Sequence, residues 1–386
     1  MAPPAERSVN SIRPGLLELF WVFLRLGCTS FGGPAAHVAL MHAELVERRK
    51  WLTEVNFLDL VSAANLIPGP TSTEVALHVG YSRGGWPGLG LAGIGFISPA
   101  VLFTGVLAWV YRRWGELPAL ANILLGVKPV VVVIIVAALV GLLPKAARDL
   151  RLRLLFGVAL FAAALGVHEL VVLGAAGVLG WVGRRRDPAP NGSVGSVLPW
   201  WGVIAASISG VAPTFTSVFG VFFKIGGLLY GSGYVLLAFL RAELVERLGW
   251  IDETLLLDAV AVGQATPGPL FSTATFLGWC IGGPHLAAAA TLGIFLPSFF
   301  WVVVSRPFLQ RLRASAGAGA FLDGVNVASL ALMAMVTFQL GSAALRDPPS
   351  WILAVVAAGL LWRKIPSSWI VLAAAIVGGL SALARY

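Results

Sequence analysis

The sequence predicts an all-α polytopic membrane protein made of two homologous helical halves, probed by three observations. The first is composition: 58% of the 386 residues are apolar and 12% are charged, against roughly 25% charged in soluble domains. A mean hydropathy of +0.86 agrees. The second is a self-match at fixed offset: Pro68-Gly69-Pro70 returns as Pro267-Gly268-Pro269, 199 residues later. One long period denotes a duplicated half rather than a solenoid. The third is the setting of those two tripeptides. Each interrupts an apolar run, and a repeated Gly/Pro-interrupted segment is the best sequence pointer to a transporter's binding site.

The duplication is extensive. Ala43-Glu44-Leu45-Val46-Glu47-Arg48 returns as Ala242-Glu243-Leu244-Val245-Glu246-Arg247. Trp51, Glu54, Leu58 and Asp59 return as Trp250, Glu253, Leu257 and Asp258. Pro99 pairs with Pro297, and Arg148-Asp149 with Arg346-Asp347. The expected organisation is a first repeat over 15–183, a linker over 184–199 and a second repeat over 200–386.

In chain order, residues 1–14 are polar with Arg7 and Arg13, read as a cytoplasmic tail without a cleavable signal. Residues 15–43 are long enough to span but are interrupted by Gly32-Gly33-Pro34, which removes a donor and loosens the helix. A charged connector covers 44–54. Residues 57–67 and 75–81 are half-helices meeting at the first Pro-Gly-Pro, tolerated at membrane depth where they are buried in protein or line a wet cavity. Spans follow at 89–110 and 129–143, with shorter apolar segments at 154–165 and 170–182. Arg184-Arg185-Arg186 and the polar Asp187-to-Ser193 stretch form the linker. In the second half, 218–239 is broken by Gly231-Ser232-Gly233. Residues 255–265 and 276–281 flank the second Pro-Gly-Pro, and 287–304, 321–340, 351–361 and 369–383 complete it. The length rule gives about ten to thirteen transmembrane segments. An additional apolar piece, 198–213, has no partner in the first half. If it crosses while both ends of the first half are cytoplasmic, the halves form an inverted repeat; the alternative is that it lies in the interface.

The formal charge of +9 falls in short basic loops such as Arg48-Arg49-Lys50 and Arg184-Arg185-Arg186, the placement of positive-inside topology rather than of a nucleic-acid surface. Cys28 and Cys280 are not repeat equivalents and form no metal spacing. Gly88-x-Gly90-x-x-Gly93 lies in an apolar span with no preceding strand, and no Walker A, HExxH or GxSxG motif occurs. No catalytic residue, metal or cofactor is therefore expected, and the chain is not read as an enzyme.

Candidate substrate-binding residues cluster at the breaks. Pro68, Gly69, Pro70, Ser72 and Thr73, with Pro267, Gly268, Pro269, Ser272 and Thr273, place hydroxyls and helix starts there. Such hydroxyls cap free N–H groups, and those groups with the positive helix end can also form an anion site. Asn65 and Gln264 coincide three residues before each break and could donate to a ligand or satisfy the broken backbone. Arg25 and Lys224 occupy one repeat position inside apolar spans, where a charge marks a pathway or snorkels to the interface. Glu74, whose repeat equivalent is Thr273, is either a proton-coupling group or an acid at a helix N-terminus. His37, His42 and His78 fit no ligand motif. Glu44, Glu47 and Asp59, with Glu243, Glu246 and Asp258, are expected to pair with Arg48 and Arg247.

Several motifs resemble the long-chain chromate ion transporter family. In the first half these are Phe31-Gly32-Gly33-Pro34-Ala35-Ala36-His37, Pro68-Gly69-Pro70 with Ser72-Thr73-Glu74, and Gly84-Gly85-Trp86-Pro87-Gly88. In the second half they are Phe222-Phe223-Lys224-Ile225-Gly226, Gly263-Gln264-Ala265-Thr266-Pro267-Gly268-Pro269 and Gly293-Ile294-Phe295-Leu296-Pro297. Thr71 stands where many members carry Asn, a departure bearing on substrate contacts. The resemblance implies a secondary transporter in the bacterial inner (plasma) membrane that exports chromate and confers chromate resistance, driven by ion gradients or membrane potential. Sulfate has the same shape and charge, so the alternative is a channel or transporter for another anion. The expected partners are an oxyanion and the lipid bilayer, with no nucleic acid; a homo-oligomer is left open.

Overall fold

The computed structural model describes residues 14–31, 34–114, 118–183, 211–229, 235–305 and 316–383. Among these, every regular element is helical. The amino-terminal tail, the linker and nearly all of the unpaired 198–213 piece lie outside the described residues.

The first half contains α1 (Leu16–Thr29), α2 (Pro34–His42) running into a π-turn (Ala43–Arg48), α3 (Glu54–Ala64), α4 (Thr71–Trp114), α5 (Pro118–Ala146), α6 (Leu150–Ala164) and α7 (Glu169–Val182). The second contains α8 (Phe215–Leu228), α9 (Leu236–Leu240) with its own π-turn (Arg241–Arg247), α10 (Glu253–Ala265), α11 (Thr273–Gly282), α12 (Pro284–Ser305), α13 (Ala316–Ala344), α14 (Pro348–Trp362) and α15 (Ser367–Leu383). The order is the same once α4 is matched to α11 plus α12. Gly85, at φ 59°, divides α4 where Gly283, at φ 91°, separates the other two.

Local chemistry explains the shared plan. Leu19, Val22, Phe23 and Leu26 follow helical spacing and are the buried face of α1. Thr53 caps α3 by accepting from the Asn56 N–H, and Asp252, its repeat equivalent, caps α10 by accepting from the Leu255 N–H. Asp149 and Asp347 cap α6 and α14 in the same way. Each such cap satisfies a donor the helix start would otherwise leave open. The positive-φ residues pair too: Lys50 with Gly249, Gly69 with Gly268, Gly85 with Gly283, and Gly166 with Lys364.

The halves interlock. Within each half the first helix lies on the long broken helix, with Gly27 against the Phe96 carbonyl and Gly226 against that of Ile294. The last helices are exchanged: α7 packs on α13 and α15 packs on α5. A Cβ on Gly126 would stand 3.0 Å from Gly378 Cα, and one on Gly180 would stand 3.1 Å from Gly324 Cα. These two crossings are repeat images, and small residues at both permit the close approach that helix packing in a bilayer requires. The equivalent helices α5 and α13 run in opposite directions, since Arg148 beyond the end of α5 pairs with Asp323 near the start of α13. Gly341, near the end of α13, faces Val132 at the middle of α5 at 3.5 Å.

Among the described residues, four helices are long and apolar enough to cross a membrane: α4, most of α5, α12 and most of α13. Shorter apolar helices accompany them. Trp21, Leu102, Phe161, Trp181, Phe300, Phe338, Trp351 and Trp369 are exposed, an outer surface suited to lipid and, for tryptophan, to its interfaces. The chain is a multi-pass membrane protein.

Candidate functional site at the paired Pro-Gly-Pro loops

The two Pro-Gly-Pro loops are buried and docked on opposite halves. The Gly69 N–H donates to the Leu229 carbonyl at 2.8 Å, and the Gly268 N–H donates to the Ser30 carbonyl at 2.8 Å. Ser30 and Leu229 are repeat equivalents, so the bonds are reciprocal. Both glycines have positive φ, 138° and 91°, a region L-residues avoid. There is also no room for a side chain. A Cβ on Gly69 would stand 2.6 Å from Ser298 Oγ, and one on Gly268 2.8 Å from Ala100 Cβ. Ser298 and Ala100 each follow the proline inside the long helix of the other half.

These bonds engage the two glycine N–H groups, and proline has none, so the donors left for a ligand are side chains and helix starts. The side chains are present. Ser30 Oγ, Thr73 Oγ1, Gln264 Nε2, Ser272 Oγ, Thr273 Oγ1 and Ser298 Oγ are buried without a hydrogen-bond partner among the described residues, as are both oxygens of Glu74. Buried polar groups are overwhelmingly paired, and an orphan costs about 1–3 kcal/mol. Here the orphans concentrate at the two breaks. The first turns of α4 and of the short 3₁₀ turn Leu270–Ser272 begin directly at these loops, bringing backbone N–H groups and the positive ends of helices.

The sequence candidates separate into two groups. Ser72, Thr73, Gln264, Ser272 and Thr273 join the prolines and glycines in the buried region, and Ser72 Oγ lies 3.2 Å from His37 Nδ1. Asn65 caps the end of α3 and is exposed, unlike its equivalent Gln264. Arg25 is exposed on α1 and has no carboxylate partner among the described residues. Lys224 is ion-paired with Glu243, which also binds Arg247.

The connectors form charge clusters in which Glu44 and Glu243 take the expected arginines, while Glu47, Glu246 and Asp258 take other partners. Glu44 binds Arg48 and Arg49. His42 pairs with Glu47 and Glu54, and Arg241, its equivalent, pairs with Glu246 and Glu253. Asp258 instead pairs with Lys128 of α5 at 3.0 Å and accepts from the Tyr111 hydroxyl at 2.9 Å. The sequence reading passed over Lys128, Ser30 and Ser298 because it weighed residues by their repeat twins. Asn326 and Ala100 stand opposite Lys128 and Ser298, so neither has a twin in kind. Both cysteines are free. His168, Glu169 and Glu243 bring ligand-type atoms within 4.8 Å of one another, but Glu243 is already held by Lys224 and Arg247.

Two interlocked halves with broken helices and orphaned polar atoms at the breaks define a duplicated membrane transporter. The chain belongs to the chromate transporter family, whose model matches residues 17–181 and 216–379. It is 30% identical to the chromate transport protein of Cupriavidus metallidurans, over 97% of this chain and 96% of that one. It is also 30% identical to the probable chromate transport protein of Synechococcus elongatus, over 94% and 95%. A shorter match is to an uncharacterized transporter of Bacillus subtilis, 37% identical over 117 residues, or 30% of this chain. No solved structure matches the chain.

Proposed function

We propose that this protein is a secondary transporter that exports chromate across the bacterial inner membrane and confers chromate resistance, with the oxyanion bound between the two Pro-Gly-Pro loops. The observation that carries the site is the concentration of buried, unpartnered donors there: Ser30, Thr73, Gln264, Ser272, Thr273 and Ser298. A tetrahedral dianion accepts several hydrogen bonds at once, and hydroxyls, an amide and two helix N-termini offer them from two sides. The relatives named as chromate transport proteins supply the substrate.

Arg25 is assigned the positive potential that draws the anion in, and Lys224 the structural bond to Glu243. We further propose that the two repeats, 15–183 and 200–386, lie inverted in the membrane. The opposed directions of α5 and α13 support this, because an axis in the membrane plane reverses equivalent spans whereas an axis along the normal does not. The reciprocal docking of the loops then suits alternating access by rocking one half against the other.

Chromate uptake into everted vesicles, with and without an imposed potential, tests the reading. The expected result is potential-dependent uptake above that of vesicles lacking the protein, competed by sulfate. Uptake no greater than that of empty vesicles would remove chromate as the substrate. Sulfate uptake that chromate leaves unaffected would move the assignment to the other oxyanion.

A further inference from the structure

The two loops are alike in backbone and unlike in charge. Where the second carries Thr273, the first carries Glu74, a carboxylate with none of its surface exposed. Its carboxyl carbon lies 3.1 Å from where a Cβ on Gly69 would stand, and Ser298 Oγ lies at the same spot from the other half. Neither carboxylate oxygen has a hydrogen-bond partner among the described residues.

Among the described residues the surrounding elements do not supply a counter-charge, and on α4 itself Arg83 lies more than two turns beyond Glu74. On α1, Glu18 is paired with Arg49 and Arg25 is exposed. On α3, Glu54 is paired with His42 and Asp59 is exposed. On α10, Asp258 is held by Lys128 and Tyr111. On α11 the titratable group is Cys280, and on α12 it is the exposed His285. The groups that approach are histidines: His37 of α2, bonded to Ser72, and His78, one turn further along α4. A buried carboxylate without a counter-ion is strongly disfavoured. A second negative charge entering the same interface adds repulsion that the low dielectric amplifies.

We propose that Glu74 is the proton-coupling group of this transporter: it holds a proton whenever the oxyanion occupies the paired loops, so that dianion and proton move together. This rests on the reading of the loops as the oxyanion site. The proton passes from water to a Glu74 oxygen on loading and returns to water on release, and the charge carried falls from −2 to −1. Reciprocity follows: protonation tightens anion binding by the same factor that the anion tightens proton binding. Thr273 cannot titrate in this range, so the coupling belongs to the first loop alone.

The test is binding of chromate and of sulfate to the purified full-length protein across the alkaline range, where both are dianions. In the wild type and in Glu74→Asp both affinities fall as pH rises, approaching about tenfold per pH unit for one linked proton. In Glu74→Gln the profile is flat at the wild type's low-pH affinity. In liposomes, chromate entry acidifies the lumen, read by a trapped dye, and does not do so in Glu74→Gln. Carbodiimide attacks protonated carboxyls in apolar surroundings and needs no variant: peptide mapping of the wild type finds the adduct on Glu74, in a yield that falls with pH alongside affinity. The inference is overturned if Glu74→Gln keeps the wild-type pH profile, if Glu74 escapes the reagent at every pH, or if dependence on sodium replaces dependence on protons. Wild-type protein that binds neither anion at any pH would overturn the oxyanion site itself, and the coupling with it.

Discussion

Lys128 and Asp258 make the buried ion pair that joins α5 of one half to α10 of the other, and it has no counterpart across the repeat. With 12% and 3% of their side chains exposed, each depends on the other for compensation. Asp258→Asn leaves Lys128 buried without its counter-charge and is expected to destabilise by about 3–5 kcal/mol. Replacing both by leucine should restore most of that loss, as read by thermal unfolding in detergent. Tyr111→Phe removes one hydrogen bond and is expected to cost about 1.5–3 kcal/mol, the range for bonds to charged groups. The basic repeat pair should divide. Lys224→Gln leaves Glu243 with Arg247 alone, so melting temperature falls while flux per folded molecule changes little. Arg25→Gln should do the reverse, because its side chain is exposed and has no carboxylate partner among the described residues. Equal losses of flux in both variants, at unchanged stability, would put both charges in the site.

At the scale of the element, each Pro-Gly-Pro loop is a helix break held by the other half. Alanine at Gly69 or Gly268 meets two penalties. One is the left-handed backbone, about 1–2 kcal/mol; the other is a Cβ inside van der Waals contact of Ser298 or Ala100. Both variants are expected to lose folded protein and flux together. Gly220→Ala, in an open helical position, should be neutral or slightly stabilising by helix propensity. Wild-type behaviour at both loop positions would mean that the loops do not lock the halves. The breaks themselves were legible, because proline and glycine act locally and the duplication repeated them. The reciprocal bonds from Gly69 to Leu229 and from Gly268 to Ser30 were not, because their partners lie 160 and 238 positions away along the chain (69 to 229, 30 to 268). The division of α4 at Gly85, whose φ of 59° and ψ of −144° are non-helical, was legible too, in the separate apolar segments at 75–81 and 89–110.

At the scale of the molecule, the repeat predicted two like halves, and the structure adds that they exchange their last helices. Composition and periodicity cannot convey this, because each apolar face is equally satisfied by its own half or by the other. The candidate site was legible where residue type and repeat position coincided, as at Ser272 and Thr273. It was illegible where a lone serine, Ser30 or Ser298, gains meaning from what packs against it. Opposed halves predict opposite faces for the two Glu-Leu-Val-Glu-Arg connectors. Single cysteines at Glu47 and Glu246, both exposed positions, in a background lacking Cys28 and Cys280, should label from opposite sides of intact cells with an impermeant reagent. Labelling from one side alone would mean a parallel arrangement.

The central claim is that orphaned hydroxyls at the paired loops bind the transported oxyanion, and the most direct measurement is chromate flux in liposomes by Ser272→Ala/Thr273→Val set against its thermal stability. Removing orphaned hydroxyls relieves buried, unpartnered groups, so a ligand site predicts flux lower by about tenfold or more, for one to two hydrogen bonds to a charged group, with a melting temperature at or above the wild type's. Unchanged flux with unchanged or higher stability would contradict the account and place the oxyanion elsewhere.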